Sequence, residues 1–205
     1  GGYATLEAGN FGLARFEGAL NVPITDTVAV RAAGTFLEHS GWLNDGYDDA
    51  DDTAMRMTVL AKPNSDLSIR LEGDYSNRSG QGDNVYIGRL TTAANSPLTS
   101  MNAWSPLNTL PTDQRVNYTD WSGQGELNYD LHCATLTYLP DYRVSTQNLS
   151  NSRFLDFFLT TLATTSNTHI KTDTQELRLT SDSAKPLQWV AGLYYYNLDE
   201  PASAT

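Results

Sequence analysis

The chain has 205 residues and a formal charge of −11, from 13 Lys+Arg against 24 Asp+Glu. Such acidity repels phosphate backbones and argues against a nucleic-acid partner. The single cysteine, Cys133, excludes an internal disulfide and any zinc site built on several cysteines. Mean hydropathy is negative, and no apolar run approaches the ~20 residues of a membrane-spanning helix. Strands that cross a membrane remain open as a reading, because only their alternate residues need be apolar.

The chain opens Gly1-Gly2-Tyr3, with no Met, basic segment or apolar leader, and reads as strand by residue 3. That start predicts a piece of a longer protein, with any signal peptide upstream.

Alternation with a period of two then runs along the chain and predicts about nine strands. The first is Tyr3–Gly9 and the second Ala14–Val22. In Val28–Glu38, Val28, Val30, Ala32, Gly34 and Phe36 alternate with a row holding Arg31 and Thr35. In Ala54–Lys62, Met55, Met57, Val59 and Ala61 oppose Arg56, Thr58 and Lys62. In Leu67–Ser76, Leu67, Ile69, Leu71, Gly73 and Tyr75 oppose Ser68, Arg70, Glu72, Asp74 and Ser76, so the second face must meet water. Trp121–Tyr129, Ala134–Thr146, Thr174–Ser181 and Trp189–Leu198 complete the set, with Pro140 expected at a bulge or at a strand top.

The connections alternate in length. Pro23–Thr27, Pro63–Asp66, Asp130–His132 and Asp182–Leu187 are short turns of Pro, Asp, Asn and Ser. Most of the others, around 39–52, 77–120 and 147–171, read as long loops. Short turns at one end and long loops at the other match outer-membrane barrels better than soluble sandwiches. Strands of about nine to eleven residues also suit a tilted bilayer crossing. Tyr75, Trp121, Tyr129, Trp189 and Tyr195 fall near strand ends on the apolar faces, where an interfacial girdle is expected. Alternation by itself leaves open whether the apolar face meets lipid or a soluble core.

Specific strings resemble the TonB-dependent outer-membrane receptors. Gly2-Tyr3-Ala4-Thr5-Leu6-Glu7-Ala8-Gly9-Asn10-Phe11 followed by Arg15–Pro23 is similar to the first barrel hairpin of that family. Thr27–Gly34 with Gly41-Trp42-Leu43-Asn44-Asp45-Gly46, and Gln175–Ser181 with Leu187–Tyr195, continue the likeness. The resemblance implies an all-β, antiparallel transmembrane barrel of about 22 strands, closed by an N-terminal plug. Residues 1–205 would be the N-terminal part of that barrel, directly after the plug, in the outer membrane of a Gram-negative bacterium. The family imports scarce ligands, such as ferric siderophores, cobalamin or oligosaccharides. The implied partners are outer-membrane lipid, the plug of the same chain, the TonB energy-transducing complex and a small-molecule or glycan ligand. No cofactor and no enzymatic activity are implied. A passive porin-like channel and a soluble β-sandwich binding module are the competing readings.

The chemistry-bearing residues follow from this frame. Arg31, Arg56, Arg70, Glu72 and Asp74 are expected to line the lumen or face the plug. Trp42, Tyr47, Trp104, Phe157 and Phe158 are ligand-contact candidates in the loops. Phe154–Leu162 carries an apolar spacing that predicts a short helix over the mouth. Asp45, Asp48 and Asp49 form a weak Ca²⁺ candidate, although Gly46 falls too early for an EF-hand and a solvated loop explains the charge better. His39, His132 and His169 lack zinc-site spacing, and no nucleophile elbow or phosphate loop occurs.

Overall fold

A computed structural model describes residues 1–42, 46–81, 115–155 and 160–201, with side chains described outside 151–164. Nine strands make one antiparallel sheet in simple sequential order: β1 (Gly2–Ala8), β2 (Ala14–Pro23), β3 (Val28–His39), β4 (Ala50–Ala61), β5 (Leu67–Gly80), β6 (Arg115–Asp130), β7 (Ala134–Leu155), β8 (Thr160–Ser181) and β9 (Val190–Asp199). β1 and β9 are the two edges.

The short turns form for local reasons. Asn64 Oδ1 accepts from the Asp66 and Leu67 amides, and Asp182 Oδ1 accepts from Ala184 N–H. These are side chains closing turns on their own backbone, as Asn and Asp do readily. Asp130 Oδ1 likewise accepts from His132 N–H, next to His132 in the left-handed region at φ 66°.

The register puts each predicted apolar row on one face. Val30, Val59 and Leu71 are successive partners across β3, β4 and β5, and Tyr75, Trp121 and Val144 are successive partners across β5, β6 and β7. No second layer covers this face among the described residues: Leu71 is 54% exposed and Leu193 74%. A soluble sandwich would bury these rows, and a single sheet with an open apolar face does not. Leu67–Tyr75 is nine residues long, five of them on that face; at a rise of ~3.4 Å and a tilt of ~40° this covers roughly 21 Å, close to the ~25 Å apolar band of outer-membrane barrels.

Strands outrun their predicted limits at the loop end. β5 continues to Gly80, β6 begins at Arg115, and β7 and β8 each run 22 residues. Above the apolar band the row that was apolar turns polar, as at Asn77↔Thr119 and Asn148↔Asn167. Alternation therefore vanishes there while the hydrogen-bond ladder persists.

Two expectations are corrected by the same ladder. Residues 147–171 are mostly an extended hairpin, and Phe154↔Thr161 and Leu155↔Thr160 are strand pairs where a helix was expected. The Thr-rich stretch from Thr160 to Thr168 favours strand through β-branching, and pairing with β7 outweighs the helical spacing. Residues 156–159 lie outside the described residues. Pro140 sits inside β7, paired with Gln175, at neither a top nor a bulge. On the β6 side the ladder skips from Gln124↔Asp141 to Leu127↔Tyr138, as a residue without an N–H requires. A Cβ on Gly125 would lie 3.1 Å from Pro140 Cγ, so glycine makes room for the ring.

Candidate functional site

The face opposite the apolar band carries the charge. Among the described residues every ion pair lies on it: Arg15 with Glu7 and Glu17, Arg56 with Glu72 and Asp74, Arg70 with Glu72, Arg78 with Asp52, and Arg178 with Glu176. The register explains the clustering, since Arg56↔Asp74, Thr58↔Glu72↔Gln124 and Arg70↔Glu126 are direct cross-strand neighbours. One trough takes its lining from β1 to β7, including Tyr3, Arg15, Thr35, Arg56, Asp74 and Arg143. Side chains that many strands apart share one hollow only if this face is concave.

Glu72 is the centre of this wall. It is 6% exposed. Its Oε2 accepts from Thr58 Oγ1 at 3.1 Å and Arg70 Nη2 at 2.5 Å, and its Oε1 from Gln124 Nε2 at 2.5 Å. Arg56 Nε lies 3.5 Å from Oε1 and 2.5 Å from Asp74 Oδ1. Both carboxylate oxygens are therefore filled by the wall itself, which makes burial of the charge tolerable. Arg31 is held differently, donating from Nη1 to Asn21 Oδ1 at 2.8 Å. All five predicted wall residues thus share the concave face. Thr58 and Gln124 belong with them and were missed as partners, because only register shows that they flank Glu72.

The loop end brings some predicted contact residues together and leaves others apart. Trp42 stacks on His39 at 5.5 Å and 19° and meets Phe11 edge-on at 6.4 Å and 82°. Tyr47 is 6% exposed and presents no ring face outward in this arrangement. The loop folds so tightly there that a Cβ on Gly41 would strike the carbonyl oxygens of Gly46 and Tyr47. Asp49 Oδ1 accepts from Gln81 N–H at 2.6 Å, extending the β4–β5 ladder by one side-chain rung. Among the described residues no three His, Cys, Asp or Glu side chains converge as metal ligands. Asp45, Trp104, Phe157 and Phe158 lie outside the described residues.

The apolar face ends in rings. Tyr75 and Trp121 are direct partners, and Trp121 lies 5.5 Å from Tyr142 at 51°. Tyr195 shares this face on β9, where its partner Gln175 pairs in turn with Pro140, and Tyr129 and Trp189 stand at the turn end. Tyr142, which packs against Trp121, was missed in this group of rings; carrying the alternation past Pro140 finds it.

No family model and no curated protein matches the sequence. Solved structures do match in shape. The ferric-catecholate import receptor Fiu from E. coli K12, in its open form, superposes with a TM-score of 0.75 at 15% identity, over 96% of this chain and 34% of that one. The ferric yersiniabactin uptake receptor FyuA from Yersinia pestis gives 0.69 at 16% identity, over 97% and 30%. The nine-stranded sheet has the fold of the barrel wall of TonB-dependent receptors, and the chain spans about a third of the length of these two.

Proposed function

We propose that the chain is the N-terminal part of the barrel of an outer-membrane importer, whose plug and remaining strands lie in the rest of the protein. The observation that carries this reading is the division of one sheet into two unlike faces. One is a ring-bounded apolar band on which no second layer packs among the described residues, suited to lipid. The other is a concave wall dense in ion pairs, suited to a wet lumen and a polar plug. The likeness to import and uptake receptors for ferric chelates favours a ferric siderophore-type ligand over cobalamin or an oligosaccharide. Energy would come from the TonB complex of the inner membrane acting on the plug. The protein would do no covalent chemistry.

A strain lacking the gene, fed iron only as a ferric catecholate, is expected to grow poorly and to recover on complementation. Normal growth on every ferric chelate, with a defect on cobalamin or a glycan, would move the ligand to that class. A passive channel is separated by conductance: in planar bilayers a plugged importer stays closed, and an open porin conducts steadily. Recovery of the protein in the soluble fraction would sink both membrane readings.

A further inference from the structure

We propose that the outward face of β5 to β8, directly above the ring row, is a docking surface for the uncharged sugars of a membrane glycolipid. This rests on the importer reading, which puts lipid against the apolar band, and names what that lipid carries.

Parity and register build the surface. One row above Tyr75 and Trp121, Asn77, Thr119 and Thr146 are successive partners across β5, β6 and β7. One row higher, Asn117, Asn148 and Asn167 are successive partners across β6, β7 and β8. All six alternate in phase with the apolar row below, so they share its outward face. Among the described residues no carboxylate lies on this patch, and Arg115 at its top is its one fixed cation. The concave face of the same strands differs, with Arg78 and Asp120 at this height.

The patch is set up for hydroxyl groups. Asn77 Nδ2 donates to Thr119 Oγ1 at 2.8 Å, and Thr119 Oγ1 donates to Asn117 Oδ1 at 3.2 Å, so its inner side is already ordered. Asn148 and Asn167 make no side-chain hydrogen bond among the described residues. Each amide keeps its donors and its acceptor open, and uncharged donors beside acceptors match sugar hydroxyls. A phosphate would need a free cation. Lys171, in the ring row, has Asp199 as its direct partner and Asp173 two residues on, and both carboxylates oppose an anion there.

Height separates a sugar from a phospholipid headgroup. Trp121 to Asn117 is four residues, a rise of ~10 Å at ~3.4 Å per residue and a tilt of ~40°. A bilayer of ~40–45 Å with a ~30 Å core leaves only ~5–8 Å of headgroup on each side. A phospholipid headgroup therefore ends near Thr119. The patch is continuous with the apolar band, so a lipid seated on the band reaches Asn117, Asn148 and Asn167 when its headgroup is longer and uncharged, as a chain of sugars is.

The test uses the full-length protein in phosphatidylcholine vesicles holding one brominated probe lipid at a time: digalactosyl diacylglycerol, phosphatidylglycerol or phosphatidylcholine itself. Each probe carries bromine at the same acyl carbon near the glycerol. Quenching of Trp121, read as the difference between wild type and Trp121→Phe, reports how much of each lipid gathers beside it. The galactolipid is expected to gather roughly two- to tenfold over phosphatidylcholine, and phosphatidylglycerol to match phosphatidylcholine. Asn148→Ala with Asn167→Ala is expected to abolish the galactolipid excess, and Asn148→Ser with Asn167→Ser to keep most of it. The wild-type comparison of the three lipids decides even where the Ala pair fails to fold. Equal quenching by all three lipids, an excess of phosphatidylglycerol, or a galactolipid excess that survives the Ala pair overturns the sugar surface while leaving the importer reading in place. No quenching by any lipid takes Trp121 out of the bilayer and defeats the importer reading, and the sugar surface with it.

Discussion

Arg56 on β4 and Asp74 on β5 are direct cross-strand partners, with Nε 2.5 Å from Oδ1, and the same guanidinium reaches Glu72 at 3.5 Å. One cation thus ties two carboxylates two residues apart on β5. Burial separates their importance. The side chain of Asp74 is 23% exposed and that of Glu72 is 3% exposed. Removing Asp74 leaves Arg56 facing solvent, so Asp74→Ala should cost at most ~1 kcal/mol. Removing Glu72 strands Thr58, Arg70 and Gln124 together, and Glu72→Ala should cost about 2–3 kcal/mol. Urea unfolding of the refolded protein measures both. Equal losses would contradict the account of the wall.

The two faces predict opposite responses to the same new charge. Leu71→Arg places a cation in the middle of the apolar band and should cost about 2–4 kcal/mol in a bilayer. Ser76→Arg, on the concave face beside Asp120 in the pairing register, should change stability by less than ~1 kcal/mol. Unfolding in liposomes compares them, and equal tolerance would remove the case for lipid on the apolar side.

The ring row fixes depth. Trp121, partnered with Tyr75 and packed near Tyr142, should lie at the headgroup level. Lipids brominated near the glycerol should quench its fluorescence more than lipids brominated near the chain ends, read as the difference between wild type and Trp121→Phe. Stronger quenching from the deep position would move the membrane boundary off this row.

Gly125 and Pro140 should be energetically coupled. Gly125→Ala introduces a Cβ only 3.1 Å from Pro140 Cγ, tighter than ordinary packing. A cost of about 1–2 kcal/mol is expected from that overpacking. In a Pro140→Ala background most of the cost should disappear. A double-mutant cycle by urea unfolding checks this, and strict additivity would rule the contact out.

Much of this could be read from residue order. The pleat turns successive side chains to opposite faces, so Val28, Val30 and Phe36 separate from Arg31 and Thr35 by parity alone. That local rule placed all five charged wall residues on one face before any pairing was known. It also located the lower ends of the strands, where Pro63, Asn64 and Asp66 mark the turn. It failed where the apolar row turned polar: above Tyr75 and Trp121 the alternation stops, and the ladder runs on to Gly80 and Arg115. It failed again around the expected helix Phe154–Leu162, where Phe154, Leu155, Thr160, Thr161 and Leu162 are paired strand residues.

The sequence by itself determined the strands, their two faces and the end of the sheet that carries the longer connections, because these depend on neighbours a few residues apart. Only the tertiary structure decided which groups meet. Glu72 is filled by Thr58, Arg70 and Gln124 through a register that joins residues up to 52 positions apart, and Trp42 meets both His39 and Phe11 where two connections come together. Periodicity is a property of one strand; contact is a property of the hydrogen-bonded pairing between strands, and a shift of one residue in that pairing would turn the whole row of Glu72 away from Thr58 and Gln124.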